Sequence, residues 1–304
     1  MFRHGGSGLN WEEQNNKNIR WLVGAMTSIG RYLRSDGYFR GMIEQAIKGA
    51  YEGGLEILKV YGTEFTVDVK EDKSPLTEAD RRAHNKIMEF LDGTGIPVLS
   101  EEGKHLSFEE RKAWKQFWLV DPLDGTKEFV KRNGEFTVNI ALIEDGVPVS
   151  GVIYVPVKDE MYLGIKGKGA VKISEYSKHH VDHSDLEDLL SRGSKLPMSN
   201  DRTVFTLVGS RSHMSDETMD YMERMKVEHG EVEIVSMGSS LKLCLVAEGV
   251  ADVYPRFAPT MEWDTGAGQA IALNAGCTVT EKDETTPLRY NKENLLNPWF
   301  IVKR

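Results

Sequence analysis

The sequence predicts an α+β region followed by an α/β region, and three observations lead there. Amphipathic helices alternate with short strands up to an apolar run at 117–120. Antiparallel strands joined by Asp/Gly turns then fill 136–173. From Thr203 onward strand and helix alternate regularly, the pattern of an α/β half. With 304 residues, 40% hydrophobic and 28% charged, the chain can bury a large core between such layers.

Residues 1–41 stand apart as an N-terminal extension, with a Gly-rich start and a weakly amphipathic stretch from Ile19 to Tyr38. An added helix, a leader, and translation from Met42 are all compatible with them. The α+β region spans 42–202. Ile43, Ala46, Ile47, Ala50, Leu55 and Leu58 fall near helical spacing over 42–60, with Gly53-Gly54 as an interruption. Residues 66–70 alternate like a strand, and 71–75 form a charged turn. Thr77 to Asp80 read as a capping-box-like start of a helix reaching about Leu91. Residues 96–99 form a strand ending in Ser100-Glu101-Glu102-Gly103, and Ser107 and Glu110 open a further helix. The strand at 117–120 runs into Asp121-Pro122-Leu123-Asp124-Gly125-Thr126. Strands at 136–144 and 148–156 pair across an Asp145-Gly146 turn. Strands at 160–165 and 170–173 follow, with Lys166 to Gly169 as a hairpin tip; it lacks the strand–loop–helix setting of a phosphate loop. Residues 174–202 are polar and carry His179, His180 and His183, read as a solvated loop insertion before a metal site.

The α/β region spans 203–304. Strands are expected at 203–209, 231–235, 251–254 and 277–280, and helices at 212–226, 239–248 and 264–274. Met219, Met222 and Met225 read as the core face of the first of these helices.

A net charge of -9 argues against a nucleic-acid partner, although a small anion remains compatible if cations supply local positive charge. The two cysteines, Cys244 and Cys277, lie in apolar settings and read as buried thiols of a reducing cytoplasm. No stretch has the length of a membrane-spanning helix, and no secretory signal follows Arg3 and His4.

The chemistry concentrates after residue 120. Pro122 and Gly125 let the Asp121 and Asp124 carboxylates point into one volume, where they repel unless a cation sits between them. The Gly125 and Thr126 N–H groups, at a turn into a helix, suit an anion. Carboxylates for a hard metal beside N–H groups for a phosphate suggest a metal-dependent phosphoryl site; an Asx turn closing a strand explains the pair equally well on spacing alone. Asp80, Glu101 and Asp264 also stand at element ends, each with an ordinary alternative as a helix-start or loop acid.

Four motifs together resemble one family. LTEAD (76–80), SEE (100–102), DPLDGTKEF (121–129) and WDTGAG (263–268) are similar to the signature set of the lithium-sensitive, magnesium-dependent inositol monophosphatase superfamily. Within it, NGEFTVNIALI (133–143), GSRSH (209–213), GSSLKLCLVAEG (238–249) and YPRF (254–257) resemble the 3'(2'),5'-bisphosphate nucleotidases, the bacterial branch above all. The resemblance runs from about Met42 to the C-terminus, and departs from the usual pattern at Gly266, where alanine is common. It implies the layered αβαβα sandwich of the inositol monophosphatase / fructose-1,6-bisphosphatase type.

By position, the resemblance assigns two or three Mg²⁺ ions to Glu101, Asp121, the Leu123 carbonyl, Asp124 and Asp264. It makes Asp80 and Thr126 the pair that orients and deprotonates an attacking water. Substrate contacts map onto Glu101, Gly125, Thr126, Ser210, His213, Gly238, Ser239, Lys242, Arg256 and Asp264. By its own context, without the resemblance, His213 reads as a solvent-facing residue at a helix start. Ser239 opens a helix, and Lys242 and Arg256 supply cations for a second phosphate. The implied activity is removal of the 3'-phosphate from 3'-phosphoadenosine 5'-phosphate (PAP), clearing a by-product of sulfate assimilation. The implied setting is cytoplasmic, with peripheral membrane association compatible, as a monomer or homodimer. The rivals are an inositol monophosphatase or sugar bisphosphatase with the same metal site, and a catalytically silent nucleotide-binding protein.

Overall fold

The computed structural model describes residues 37–63, 75–179, 185–198, 202–209 and 215–304. The expectations for 1–36, for a strand at 66–70, and for His180, His183, Ser210 and His213 lie outside the described residues. The chain divides into two compact units, Met1–Ile43 and Glu44–Arg304, and both sheets lie wholly within the second.

Helix α1 (37–61) continues through Gly53-Gly54 where an interruption was expected. Those glycines are contact points. A Cβ at Gly53 would lie 2.9 Å from the Ile87 side chain, and one at Gly54 would lie 2.5 Å from the Tyr154 ring. The helix therefore needs them there despite their low helix propensity. Helix α2 (Pro75–Leu91) starts two residues before Thr77, since proline is tolerated in a first turn.

Among the described residues the first sheet has seven strands in sequential order. They are β1 (Val98–Ser100), β2 (Gln116–Asp124), β3 (Thr137–Glu144), β4 (Val147–Val155), β5 (Glu160–Ile165), β6 (Gly169–Ile173) and β7 (Ser194–Lys195). Only the β1–β2 pair is parallel. The β3–β4 turn has φ 47° at Asp145 and 74° at Gly146, as a two-residue hairpin of primed type requires. Between β1 and β2 lies helix α3 (Phe108–Arg111), whose preceding Ser107 N–H donates to Glu110 Oε2 at 2.8 Å, one half of the expected capping box. Helix α4 (Thr126–Lys131) leaves β2.

The stretch expected as a solvated loop, 174–202, carries helices α5 (Tyr176–His179) and α6 (Leu186–Arg192) and strand β7 among its described residues. Tyr176, Leu186 and Leu189 are buried, and Asp185 caps α6 by accepting from the Glu187 and Asp188 N–H groups. Apolar residues spaced through a polar stretch account for the difference.

The second sheet has the order β11-β12-β10-β8-β9. Its members are β8 (Phe205–Val208), β9 (Val232–Val235), β10 (Val253–Arg256), β11 (Thr278–Glu281) and β12 (Phe300–Lys303), the last not anticipated. Helices α7 (Asp216–His229), α8 (Leu241–Glu248) and α9 (Glu262–Asn274) complete the region. Leu207, Val253 and Ile301 pack with Tyr221 and Met225 of α7, while Val208, Tyr254 and Val302 pack with Cys244 of α8. Alternate residues thus face opposite layers, as strand geometry demands. Of the three methionines expected in the core, only Met225 is buried and Met219 is exposed, because α7 has only one sheet face to cover.

The layers therefore run α1/α2, first sheet, α8/α9, second sheet, α7, the expected αβαβα sandwich. Helix α9 sets the spacing. A Cβ at Gly151 of β4 would lie 2.3 Å from the Ala267 carbonyl oxygen, and one at Gly164 of β5 would lie 2.4 Å from Ile271 Cα. Gly266 faces Leu119 of β2 and Gly268 faces Leu243 of α8. The Gly266 departure is thus a packing feature more than a loss of helix propensity.

Gly151→Ala forces α9 away from the sheet and is expected to destabilise the fold by about 3 kcal/mol in urea unfolding. Gly93→Ala, with open space around the new methyl, is the control and stays within about 0.5 kcal/mol.

Candidate active site

Strand β2 carries the site. Phe117 to Val120 are buried, and pairing with β3 continues past them. Asp121 pairs with Asn139 and Asp124 with Thr137, with a register shift between. Both aspartates therefore belong to the strand, where a turn was expected. Pro122 sits within the shift, where a missing N–H costs no ladder bond. The Leu123 N–H donates to Asp121 Oδ1 at 3.1 Å. That is an Asx turn, and it aims the carboxylate instead of replacing the site.

Parallel pairing of β1 with β2 brings in the next acid. The Glu101 N–H donates to the Val120 carbonyl at 3.1 Å, which sets Glu101 beside Asp121. Asp264 lies in the first turn of α9, and its Oδ2 accepts from the Met261 N–H at 2.9 Å. Carboxylate oxygens of Glu101, Asp121 and Asp264 come within 4.8 Å of one another. Asp121 is 1% exposed, whereas Glu101 is exposed overall and turns its carboxylate end to the cluster.

Burial and mutual repulsion perturb these acids. Burial, then Asp264 and Glu102, pushes Glu101 up to about 7. Burial, then Asp124, pushes Asp264 up to about 6. Burial followed by Asp124 and Glu101 drives Asp121 well above the usual carboxylate range. Asp80 on α2 joins them electrostatically: burial, then Glu102 and Glu101, pushes it up to about 8. All the donors are hard oxygens, with neither thiol nor imidazole among them, so the set fits a hard divalent cation.

Asp124 has a different environment. Its Oδ2 accepts from Ser239 Oγ at 2.7 Å and from the Ser240 N–H at 2.6 Å, with Asn139 Nδ2 at 3.4 Å. Ser239 has φ 55° and precedes α8, so it does not open the helix as the sequence suggested. Gly125, with φ 102°, makes room: a Cβ there would lie 3.2 Å from the Ser239 Cβ. Thr126 is exposed at the start of α4, a helix that contacts α2.

Asp124, Asp264, Ser239, Lys242, Arg256 and Thr260 line a cavity of about 170 Å³. A larger one of about 520 Å³ shares Lys242 and Arg256 and adds Lys127, Lys131, Gly238 and Phe257. The Lys242 amine donates to the Ser239 carbonyl at 3.0 Å, and burial lowers its pKa. Arg256 ends β10 and donates to the Pro259 carbonyl. The Gly238 N–H is taken by Glu135 at 2.7 Å.

Several residues with a role here escaped the sequence reading. Thr137 and Asn139 are polar, fully buried and on one face of an apolar strand, a period-two signal that was available. His84, four residues after Asp80 on α2, meets Ser100 Oγ at 3.0 Å beside Glu101. Glu262, fully buried, accepts from the Asn291 and Lys292 N–H groups and the Lys292 amine, tying the start of α9 to the 291–297 segment. No sequence signal pointed to that tie.

Comparisons with known proteins bear on the family and the fold. A profile of the inositol monophosphatase family matches residues 40–299. The 3'(2'),5'-bisphosphate nucleotidase CysQ of Salmonella typhimurium is 44% identical over 265 residues, 86% of this chain and 99% of that protein. CysQ of Escherichia coli K12 is 44% identical over 266 residues, with the same coverage. The crystal structure of CysQ from Bacteroides thetaiotaomicron superposes with a TM-score of 0.78 at 52% identity, covering 85% of this chain and 95% of that one.

Carboxyls whose pKa is raised on folding bind extra protons in the native state, so stability is lost as pH rises from about 4 toward 8. In EDTA the Tm is expected to fall across that window. Added Mg²⁺ should raise it more at pH 8 than at pH 5.5. Differential scanning fluorimetry reads this, and a pH-independent Mg²⁺ effect counts against the cluster as a cation site.

Proposed function

The chain belongs to the inositol monophosphatase family, and we infer that it acts there as a metal-dependent 3'(2'),5'-bisphosphate nucleotidase that converts 3'-phosphoadenosine 5'-phosphate to AMP and phosphate. One observation carries the reading beyond the family. The three-carboxylate cluster adjoins a cavity lined by Lys242 and Arg256, so two different means of holding phosphate stand side by side. A bisphosphate uses both; a monophosphate of a neutral polyol uses one.

Glu101, Asp121, the Leu123 carbonyl, Asp124 and Asp264 would hold two or three Mg²⁺ ions. When bound, these neutralise the scissile phosphate and acidify a water. Asp80 accepts the proton of the attacking water, with the Thr126 hydroxyl aligning it. Burial suits Asp80 to that task, since it disfavours the ionised carboxylate and makes it the stronger base. The Gly125 and Thr126 N–H groups and Ser239 orient phosphate oxygens, while Gly238, its N–H taken by Glu135, shapes the turn and lines the larger cavity. Lys242 and Arg256 bind the second phosphate, and the larger cavity, with Phe257 in its wall, takes the base. Ser210 and His213 complete the nucleotide contacts in this reading. No step uses a protein nucleophile. The free, buried Cys244 and Cys277 fit a reducing cytoplasm, where the enzyme works as a monomer or homodimer.

Phosphate release from 3'-phosphoadenosine 5'-phosphate, inositol 1-phosphate and fructose 1,6-bisphosphate, each with Mg²⁺, EDTA or Li⁺, tests the proposal. A strong preference for the nucleotide, abolished by EDTA and inhibited by lithium, is expected. Preference for another ester overturns the roles of Lys242 and Arg256. Asp121→Asn is expected to abolish turnover with the fold intact by circular dichroism. Lys242→Ala should raise KM for the nucleotide about tenfold or more with a smaller loss of kcat.

A further inference from the structure

Four of the described residues line both cavities: Glu128, Lys242, Tyr254 and Arg256. They therefore form the passage from the space beside the acids to the larger space. Lys242 and Arg256 suit a phosphate there, and Tyr254 is a buried wall. Glu128 has the opposite sign. It belongs to the DPLDGTKEF motif, yet stands outside the three-carboxylate cluster. A carboxylate repels phosphate, so its place in this passage calls for a partner of another kind.

The fold fixes that position. Helix α4 presents Lys127 and Lys131 to the larger cavity alone and Glu128 to the passage. The Glu128 side chain lies against the Gly238 backbone: a Cβ at Gly238 would lie 2.4 Å from Glu128 Cγ and 3.0 Å from its Oε1. The Gly238 N–H is already taken by Glu135 at 2.7 Å, so it does not hold Glu128. Among the described residues the Glu128 carboxylate makes no hydrogen bond or ion pair, and Lys242 feels it through space. In the proposed function one phosphate sits at the acids and the second at Lys242 and Arg256, so the ribose that joins them passes Glu128. That ribose offers a ring oxygen, which only accepts, and the hydroxyl next to the scissile phosphate, which can donate. A carboxylate only accepts, while Lys242 and Arg256 only donate, and the Tyr254 hydroxyl already has Arg256 beside it. The hydroxyl is therefore the group of the ribose that Glu128 can bind. It is present whether the scissile phosphate stands on the 3' or the 2' carbon.

We propose that Glu128 is a specificity-determining residue that accepts a hydrogen bond from the ribose hydroxyl next to the scissile phosphate, and so selects ribonucleotides over 2'-deoxyribonucleotides. The inference rests on the bisphosphate nucleotidase reading and deepens it. With the hydroxyl present, the carboxylate gains a charge-assisted bond that offsets its repulsion of the two phosphates. With the hydroxyl absent, the repulsion remains and the bond does not form. The same repulsion keeps a phosphate out of the passage, which sets the register of the substrate between the two cavities.

The test is kcat/KM of the full chain with Mg²⁺ on 3'-phosphoadenosine 5'-phosphate and on 2'-deoxyadenosine 3',5'-bisphosphate, for wild type, Glu128→Ala and Glu128→Gln. The wild type is expected to favour the ribonucleotide about thirtyfold. In Glu128→Ala that ratio should fall to about twofold or less, through loss on the ribonucleotide. Glu128→Gln keeps the shape and a neutral acceptor, and should leave a preference of about fivefold. Gly238→Ala, which drives a methyl into Glu128 Cγ, should lower the ratio with the carboxylate retained. A ratio near one in the wild type overturns the proposal, and so does a ratio that Glu128→Ala leaves unchanged because both nucleotides lose equally, the mark of a merely structural role. In either case hydrolysis of the ribonucleotide by the wild type leaves the nucleotidase reading standing. A wild type that releases phosphate from neither bisphosphate overturns that reading, and the role of Glu128 with it.

Discussion

Repulsion among carboxylates is the constraint on which the rest of the site depends. Glu101, Asp121 and Asp264 bring oxygens within 4.8 Å of one another, with Asp80 and Asp124 close enough to add to the field. Such a set spreads apart unless the backbone holds it, and Glu101, Asp121 and Asp264 are held from three different segments. Asp121 is locked by the β2–β3 ladder, Glu101 by its N–H bond to β2, and Asp264 by the first turn of α9. Protonation relieves the repulsion in the free protein, and cations bound at the cluster would relieve it as well.

Holding α9 in place is therefore part of building the site. The helix runs against the first sheet at a distance that only glycine allows, with Gly151 and Gly164 on the sheet side and Gly266 on its own face. Its start is fixed from the other direction. Glu262 accepts from the Asn291 and Lys292 N–H groups, and Asn297 donates to the Met261 carbonyl and to Thr265. A charged residue as buried as Glu262 is tolerable because the backbone and the Lys292 amine satisfy it. Stability and function meet at this point, since a shift of α9 moves Asp264 directly.

Next to the acids, the Gly238-Ser239-Ser240 turn organises the wall of the cavity. Glu135 holds the Gly238 N–H, Asp124 holds Ser239 and Ser240, and Lys242 closes the turn through the Ser239 carbonyl. Asp124 and this turn thus share hydrogen bonds, so the cation side and the phosphate side of the proposed chemistry would be in direct contact.

Much of this was legible in the chain. Local signals sufficed for the hairpins, since Asp145-Gly146 dictates its own turn, and for the helices, since their apolar spacing is periodic. Four short motifs resembling one family identified Glu101, Asp121 and Asp264, which the structure brings together. Other features were illegible because they depend on what arrives from elsewhere. Gly53-Gly54 looked like a break and is a contact with Ile87 and Tyr154; Ser239 looked like a helix start and is a left-handed turn drawn toward Asp124. Leu186 and Leu189 were hidden in a polar stretch, and the Glu262 tie joins residues about thirty positions apart. The sequence by itself determined the element types, the family and the inventory of acids, because these are carried by residues near one another in the chain. Only the tertiary structure decided which acids converge, how closely α9 approaches the sheet and which hydroxyls hold Asp124, because those are set by packing distances between segments whose contacts no local pattern encodes.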